Sequence, residues 1–229
     1  MTNAHPALRA AVFDLDGTLV DSAPDIARAL STALAQHALG PIRADQVRPI
    51  LGGGARILVG AALSAVDGDS ALTDDVLTAY TTAYTADPVS GTTVHADART
   101  AIRELRDAGV RIGICTNKRS DLTHRVLAGT GLADLVDAVV GIDSAPAGKP
   151  DPAHLITVLD ELGVTAAETV YVGDTEVDAL TARRAGATYR HVAWGATVPG
   201  CTVIEQFSSL LELTTATTTP QEETRATAH

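Results

Sequence analysis

Two carboxylates, Asp14 and Asp16, stand two residues apart, directly after the apolar segment 10–13 and before Gly17 and Thr18. The apolar segment predicts a buried β-strand, and the glycine predicts a tight turn at its end. An unpaired acid at the end of a core strand is costly to bury, and a bound metal ion would remove that cost. The alternative is a pair of aspartates that only caps the turn. These residues alone leave both interpretations open.

The elements that would position these acids alternate between helix and strand from Ala98 onward. Apolar periodicity and glycine stops predict helices over 98–108, 120–130, 155–162 and 175–185, and strands over 111–116, 138–141, 169–172 and 188–193. That alternation is typical of a parallel sheet covered by helices. Such sheets bind ligands at the carboxyl ends of their strands, which is where Asp14 and Asp16 are expected.

Residues 22–87 break this alternation because they contain helical patterns only. Residues 22–25 have the form of a capping box, and helices are predicted over 24–39, 44–50, 56–65 and 74–86. We therefore expect an α/β fold, a Rossmann-like doubly wound parallel sheet, with an inserted, mainly helical cap domain. The core domain is predicted to comprise residues 1–21 and 88–213 and the cap residues 22–87. The low-complexity segment 214–229 is predicted to be a disordered tail.

The charge balance limits the partners that the protein is expected to have. The 229-residue chain carries a formal net charge of −11 and has an isoelectric point near 4.9, which argues against nucleic acid and anionic membrane surfaces. Two cysteines are too few for a disulfide framework, no apolar run is long enough to span a membrane, and no signal-peptide core precedes Asp14. We therefore expect a cytoplasmic protein. Of its 17 cationic residues only Lys118 and Lys149 are lysines, so each is a candidate for a specific role.

Polar residues also follow three later strands of the predicted sheet. They are Thr116, Asn117 and Lys118 after the second strand, Lys149 in the loop after the third, and Asp174 and Asp178 after the fourth. Each has a structural alternative, because Thr116 or Asp174 could cap a helix and Lys149 could be a solvated loop charge. Since the carboxyl ends of parallel strands share one edge of a sheet, the groups together favour an active site there.

These motifs resemble those of the haloacid-dehalogenase-like superfamily, in its phosphatase branch with a helical cap inserted between the first and second motifs. The resemblance extends from residue 10 to residue 195 and rests on segments 13–22 (Phe-Asp-Leu-Asp-Gly-Thr-Leu-Val-Asp-Ser), 116–118 (Thr-Asn-Lys), 149–152 (Lys-Pro-Asp-Pro) and 172–174 (Val-Gly-Asp). Within the superfamily the chain is most similar to phosphoglycolate phosphatases. One departure lies at residues 93–97, where relatives usually show a proline–glycine turn.

The resemblance implies Mg²⁺-dependent hydrolysis of a phosphate monoester. Asp14 would attack phosphorus and form an aspartyl-phosphate, while Asp16 would protonate the leaving oxygen and later activate water. The implied protein ligands of Mg²⁺ are the Asp14 carboxylate, the Asp16 backbone carbonyl and Asp174. Asp178 would hold a metal-bound water or Lys149 in place.

A second set of residues is implied for the phosphoryl oxygens. Thr116 and the backbone amides near Leu15 and Asn117 would donate hydrogen bonds to them, and Lys149 would supply a point charge. The acid at position 16 distinguishes the chain from relatives that cleave carbon–halogen bonds. The absence of lysine from residues 22–87 distinguishes it from relatives that cleave phosphonates.

The expected substrate is a small phosphorylated metabolite, most directly phosphoglycolate. In the glycine-rich segment 51–56 of the cap, Gly53 and Arg56 are predicted to bind the part of the substrate that is not phosphate. The alternative there is a flexible turn with a solvated arginine. A nucleotide, pyrophosphate or sugar phosphate is an alternative substrate, and a phosphosugar mutase or a non-catalytic phosphate-ester binding protein is an alternative function. We expect a monomer or homodimer.

Overall fold

Eight strands and eight α-helices are present in the computed structural model, which describes residues 7–214. The strands are β1 (Ala10–Phe13), β2 (Val20–Asp21), β3 (Thr93–Val94), β4 (Arg111–Cys115), β5 (Ala138–Val140), β6 (Thr169–Gly173), β7 (Thr188–Val192) and β8 (Val203–Ile204). The helices are α1 (Ala23–Ala35), α2 (Ala44–Val47), α3 (Ala55–Ala65), α4 (Thr73–Ala86), α5 (Ala98–Asp107), α6 (Ser120–Gly129), α7 (Pro152–Leu162) and α8 (Glu176–Ala185). Six of the strands form one sheet in the order β5-β4-β1-β6-β7-β8, and each neighbouring pair is parallel.

Alternate residues of β1 pack on opposite faces of this sheet, and both faces are buried. Ala11 and Phe13 belong to a hydrophobic cluster with residues of α5 and α6, whereas Ala10 and Val12 pack with residues of α7 and α8. All four side chains are fully buried, as expected for a parallel strand covered on both sides. The prediction of a doubly wound α/β sheet is confirmed.

The strand register brings three carboxyl ends to the same edge of the sheet. Phe13 at the end of β1 is level with Ile114 in β4 and with Val172 in β6. The amide of Asp14 then donates to the carbonyl of Val172 at 2.9 Å. The residues that follow β1, β4 and β6 therefore meet at one place.

The chain leaves and re-enters the core through an antiparallel ribbon in which β2 pairs with β3 and Val20 lies opposite Val94. Between these strands, α1 to α4 share a hydrophobic cluster of their own, to which Leu122 of α6 is added. We call residues 23–86 of this segment the cap. The exact domain boundaries stay a prediction. Of the predicted tail 214–229, Thr214 belongs to a 3₁₀ helix, and residues 215–229 lie outside the described residues.

Several short elements were not predicted from the sequence, among them β2, β3, β8 and a 3₁₀ helix over Phe207–Thr214. Two-residue strands are too short to show a period of two. Phe207 is nevertheless fully buried, and its ring meets that of Phe13 edge-on at 5.8 Å between centroids. The 3₁₀ helix therefore completes the core on the α5 face of the sheet.

The predicted capping box at residues 22–25 is wrong. The Ser22 side chain makes no cap hydrogen bond, and its Oγ donates to Asp16 Oδ1 at 2.6 Å instead. The Asp25 carboxylate accepts hydrogen bonds from the Gly91 amide and the Thr92 hydroxyl, which tie α1 to the segment entering β3. Within residues 7–214, none of the helices has the length and apolar character that crossing a membrane requires.

Candidate active site

The loop after β1 passes very close to the residue that follows β6. The buried Asp14 carboxylate accepts a hydrogen bond from the Leu15 amide at 2.7 Å. Two residues later Gly17 adopts a φ of +85°, and a Cβ added there would lie 2.3 Å from Asp174 Oδ2. Only glycine permits both the positive φ and this close approach. Gly17 therefore allows Asp14 and Asp174 to share one site.

Lys149 is the cation at the centre of this edge. Its Nζ lies 3.0 Å from Asp14 Oδ2 and 2.6 Å from Asp178 Oδ1, and it donates to the Tyr171 hydroxyl at 3.0 Å. The side chain is fully buried, which an ammonium tolerates only when it is paired. Burial alone would lower the pKa of Lys149, but the charges of Asp14 and Asp178 raise it above its usual value. Lys149 therefore stays charged and fixes the Asp14 carboxylate.

Asp178 has its hydrogen-bonding capacity taken up by protein groups. One oxygen accepts from Lys149 and Tyr171, and the other accepts from the amide and the hydroxyl of Thr175. Burial opposes ionisation, but Lys149 and these donors lower the pKa of the Asp178 carboxyl below its usual value. Asp178 therefore lies behind Lys149 as a carboxylate that is ionised at neutral pH.

Asp174 has much less compensation. Among residues 7–214, its carboxylate accepts one hydrogen bond, from the Thr18 hydroxyl at 2.8 Å. Burial, followed by the charges of Asp178 and Asp14, raises the pKa of Asp174 well above its usual value. Burial also raises the pKa of Asp14 to about 6, although Lys149 opposes this.

The three carboxylates of Asp14, Asp174 and Asp178 offer oxygens that all lie within 4.8 Å of one another. In the described part of the chain, Lys149 pairs with Asp14 and Asp178 and no cation pairs with Asp174, so the three carboxylates when ionised carry more negative charge than Lys149 balances. Buried carboxylate oxygens in excess of their cations are the donor set that a hard divalent cation such as Mg²⁺ prefers. The residues present therefore fit the metal implied by the sequence. Because Asp178 is already saturated, Asp14 and Asp174 are the carboxylates with oxygens to offer.

Asp16 is held by Lys118, whose partner was not predicted, and by Ser22, which was expected to cap a helix. Lys118 Nζ lies 2.7 Å from one Asp16 oxygen and 3.0 Å from the other, and Ser22 donates to the same carboxylate. Only 6% of the Lys118 side chain is exposed. The scarcity of lysine in the sequence singled Lys118 out, but its partner is visible only in the structure.

Thr116 and Asn117 both lie at the carboxyl edge of the sheet, but their side chains differ in the hydrogen bonds that they make. The Thr116 Oγ1 accepts from the Lys118 amide at 3.3 Å, and its O–H donates to no group within residues 7–214. The Asn117 side chain accepts from the Lys149 amide and donates to the carbonyls of Lys149 and Gly52. The side chain of Asn117 is therefore a structural link between Lys149 and the cap, which leaves only its backbone amide for a substrate.

His154 is a further supporting residue that the sequence analysis missed. Its Nδ1 accepts from the Lys149 amide at 3.2 Å, and its Nε2 lies 3.1 Å from the Val140 carbonyl. Burial lowers the pKa of His154 to about 4, and the charge of Lys149 acts in the same direction. The ring is therefore neutral, and it holds the backbone that carries Lys149.

A cavity of about 130 Å³ lies between this edge of the sheet and the cap. Its polar wall comes from the core and its apolar wall largely from the cap. The core side includes Asp14, Asp16, Thr116, Asn117 and Lys118, and the cap side includes Ile26, Leu58, Tyr80 and Tyr84. Because the acids and Thr116 face the cavity, a phosphate ester bound there would meet them directly.

The glycine-rich segment of the cap covers this cavity, but Gly53 and Arg56 do not face it. The lining glycines are Gly52 and Gly54, whereas a Cβ on Gly53 would collide with Ile57 at 2.9 Å. Arg56 is 64% exposed and its guanidinium donates to Asp74 at 2.7 Å. The structure therefore does not bring Gly53 and Arg56 to the cavity, and their role in substrate binding stays a prediction. Helix α3 points the arginine outward.

Comparison with known proteins agrees with this geometry. Residues 8–186 match the model of the haloacid dehalogenase-like hydrolase family. A phosphoglycolate phosphatase of Rhodospirillum rubrum is 37% identical over 214 residues, which cover 88% of this chain and 89% of that protein. A phosphoglycolate phosphatase of Cereibacter sphaeroides is 41% identical over 180 residues, which cover 78% and 82% of the two chains.

The fold also matches a solved structure. The crystal structure of a predicted phosphoglycolate phosphatase from Haemophilus somnus superposes with a TM-score of 0.82 at 22% identity, covering 90% of this chain and 98% of that one. At that identity the likeness supports the fold alone. The family match and the two relatives show that the chain belongs to the haloacid dehalogenase-like hydrolases and is an enzyme of their phosphatase branch.

Proposed function

We propose that this enzyme is a Mg²⁺-dependent phosphatase that hydrolyses phosphoglycolate, or a similar small phosphate monoester, through an aspartyl-phosphate on Asp14. The observation that carries the proposal is that Asp14, Asp16 and Thr116 line one small cavity while Lys149 is paired with Asp14 from behind. The names of the relatives at 37% and 41% identity support the choice of phosphoglycolate.

In the first half of the reaction, an oxygen of the Asp14 carboxylate forms a bond to phosphorus while the bond between phosphorus and the ester oxygen breaks. The Leu15 amide and Lys149 orient that carboxylate, one at each oxygen. The free Thr116 O–H would donate to a phosphoryl oxygen, where charge is spread in the transition state.

Asp16 moves the proton in both halves of the reaction. Its acid form gives a proton to the leaving ester oxygen, so the product leaves as an alcohol. In the second half its carboxylate accepts a proton from the water that attacks phosphorus, and the bond from Asp14 to phosphorus breaks. Inorganic phosphate is released, and both aspartates return to their starting forms.

Mg²⁺ would be held by the Asp14 and Asp174 carboxylates together with the Asp16 backbone carbonyl. Bound there, it would neutralise charge on a phosphate dianion that anionic Asp14 otherwise repels. Asp178 would contribute indirectly, because it keeps Lys149 charged and in place.

The size of the cavity supports a small substrate over the alternatives. Pockets for drug-sized ligands occupy about 300–1,000 Å³, whereas the cavity here has about 130 Å³. A nucleotide or a sugar phosphate would therefore require the cap to move outward. Pyrophosphate would fit by size, but it has no group that uses the apolar cap wall. A mutase or a non-catalytic binding protein has no specific observation in its favour.

Steady-state hydrolysis of phosphoglycolate and of a generic aryl phosphate, each with Mg²⁺ and with EDTA, tests the proposal. We expect turnover of both with Mg²⁺, none with EDTA, and a higher kcat/KM for phosphoglycolate. The matched control is Asp14→Asn, which should be inactive, with mass spectrometry excluding deamidation back to aspartate. Activity above a tenth of wild type in that variant would contradict the covalent mechanism. The cytoplasmic location and the state of monomer or homodimer stay predictions.

A further inference from the structure

Lys118 presents unused binding capacity to the cavity. Its ammonium has three N–H groups, and the hydrogen bonds that it makes among the described residues all go to the two oxygens of Asp16. The Nζ also lies 4.6 Å from the centre of the Tyr84 ring. Because both Lys118 and Tyr84 line the cavity, a third acceptor entering it would find an ammonium ready to donate.

Tyr84 presents a second unused group beside it. The side chain is 1% exposed, and its hydroxyl has no hydrogen-bond partner within residues 7–214. Burial raises the pKa of Tyr84 to about 12, so the hydroxyl keeps its proton and remains a donor. A buried hydroxyl without a partner is destabilising, and a ligand oxygen would satisfy it. Enzymes often hold such groups where the substrate supplies the missing acceptor.

We propose that Lys118 Nζ and the Tyr84 hydroxyl form a subsite that binds a carboxylate on the leaving group of the substrate. This rests on the proposed phosphatase function, because that function places the ester oxygen at Asp16. Lys118 Nζ is 2.7 Å from Asp16. In phosphoglycolate the carboxylate carbon is two bonds from the ester oxygen, so a substrate whose ester oxygen faces Asp16 carries its carboxylate towards Lys118.

The charges around the cavity favour Lys118 over the other cations. Arg119 also lines the cavity, but its side chain is 57% exposed and it donates to Asp121 at 3.1 Å. Arg56 lies outside the cavity and is paired with Asp74. A charge-assisted hydrogen bond is stronger where water is excluded, and Lys118, at 6% side-chain exposure, meets that condition.

The test compares phosphoglycolate with 2-hydroxyethyl phosphate, which has an alcohol in place of the carboxylate. Two quantities are measured for this pair of substrates: the ratio of their kcat/KM values, and the ratio of their Kd values from calorimetry. For wild type we expect a preference for phosphoglycolate of about 100-fold, the size of two hydrogen bonds to a charged group. Tyr84→Phe removes only the hydroxyl, so the preference should fall about tenfold.

Charge and shape are separated at position 118. Lys118→Met should lower kcat/KM for both substrates, because Asp16 loses its partner. It should also abolish most of the preference for phosphoglycolate. Lys118→Arg should retain it, since a guanidinium also binds carboxylates. Arg119→Met is the matched control and should leave the preference within about twofold of wild type, as expected for an exposed charge.

Several outcomes would overturn the subsite. Equal kcat/KM for both substrates in wild type would do so while leaving the phosphatase function standing. Loss of the preference in Arg119→Met, or its retention in both Tyr84→Phe and Lys118→Met, would place the carboxylate elsewhere. If wild type hydrolyses neither compound, the proposed function fails, and the ratio of Kd values still decides whether Lys118 and Tyr84 bind a carboxylate.

Discussion

Replacing Asp174 by asparagine should stabilise the metal-free protein while destroying its activity. Asp174 is buried with one hydrogen bond, and the nearby charges of Asp178 and Asp14 repel it. Burial and these charges raise the pKa of Asp174 well above its usual value, so keeping the carboxyl ionised costs stability at neutral pH. Asparagine has nearly the same shape and can still accept from Thr18. We expect a gain of about 1–3 kcal/mol in the free energy of unfolding in EDTA, the size of the penalty for a buried polar group that lacks partners.

Asp178→Asn is the matched control, and its expected effect has the opposite sign. The pKa of Asp178 is lowered because Lys149 compensates its burial. The ionised carboxylate therefore stabilises the fold at pH values above the ordinary carboxyl pKa, and this stabilisation is lost as the pH falls into the acid range. Asparagine would leave Lys149 without part of its compensation and would place an N–H against the Thr175 donors. Breaking such a buried pair costs about 3–5 kcal/mol.

Urea denaturation followed by circular dichroism, in EDTA and in saturating Mg²⁺, measures both effects. For wild type, Mg²⁺ at 100 times its Kd should add about 2.7 kcal/mol, and Asp174→Asn should lose most of that increment together with turnover. If Asp174→Asn were less stable than wild type in EDTA, Asp174 would be a satisfied structural residue. The carboxylate of Asp174 would then carry no uncompensated charge for a metal ion to neutralise.

The same geometry sets expectations for Asp16, Lys149, Arg56 and His154. Asp16→Asn should lower kcat by roughly 100- to 10,000-fold, and less for the phosphorylation step of an aryl ester whose leaving group needs no proton; equal losses in single-turnover assays would count against the acid role. Lys149→Arg should be nearly inactive and about 1–3 kcal/mol less stable, because a planar guanidinium overfills a fully buried point-charge site; near-wild-type activity would make the lysine incidental. Arg56→Ala should leave kcat/KM within about twofold for every substrate, since the exposed side chain is paired with Asp74 and does not line the cavity; a selective loss for phosphoglycolate would identify Arg56 as a binding residue. The pKa of His154 is about 4 in the folded protein against about 6.5 unfolded, so the free energy of unfolding should fall by about 1.4 kcal/mol for each unit by which the pH is lowered between 6.5 and 4. His154→Gln should flatten that slope.

The sheet and the core motifs were predictable because they depend on local patterns and a general rule of topology. Each motif directly follows an apolar strand, and parallel strands end at a common edge. Nothing about side-chain direction is needed to place Asp14, Thr116 and Asp174 near one another. The strand ends agree with the structure to within one residue, for example Cys115 in place of Thr116 for β4.

Contacts between distant segments were not predictable, because they depend on how the cap packs. The sequence marked Lys118 as unusual, but its pairing with Asp16 joins residues that are 102 positions apart. Arg56 was expected to face the substrate, yet the register of α3 turns it outward to Asp74. Ser22 matches a capping pattern, but a stronger acceptor, the Asp16 carboxylate, takes its hydroxyl. In each case a tertiary partner displaced the local preference.

The paired strands β2 and β3 have a consequence for how such enzymes diversify. Val20 and Val94 lie opposite each other, so the two points at which the cap joins the core are adjacent. With respect to the core, the cap is therefore a long loop that is closed by the pairing of β2 with β3. The entropy of closing a loop rises only slowly with its length, so insertions or deletions between these two points barely disturb the sheet. The residues that perform the chemistry can therefore be inherited unchanged while the wall that selects the substrate is rebuilt. A single scaffold can in this way acquire new substrates through changes confined to one insertion.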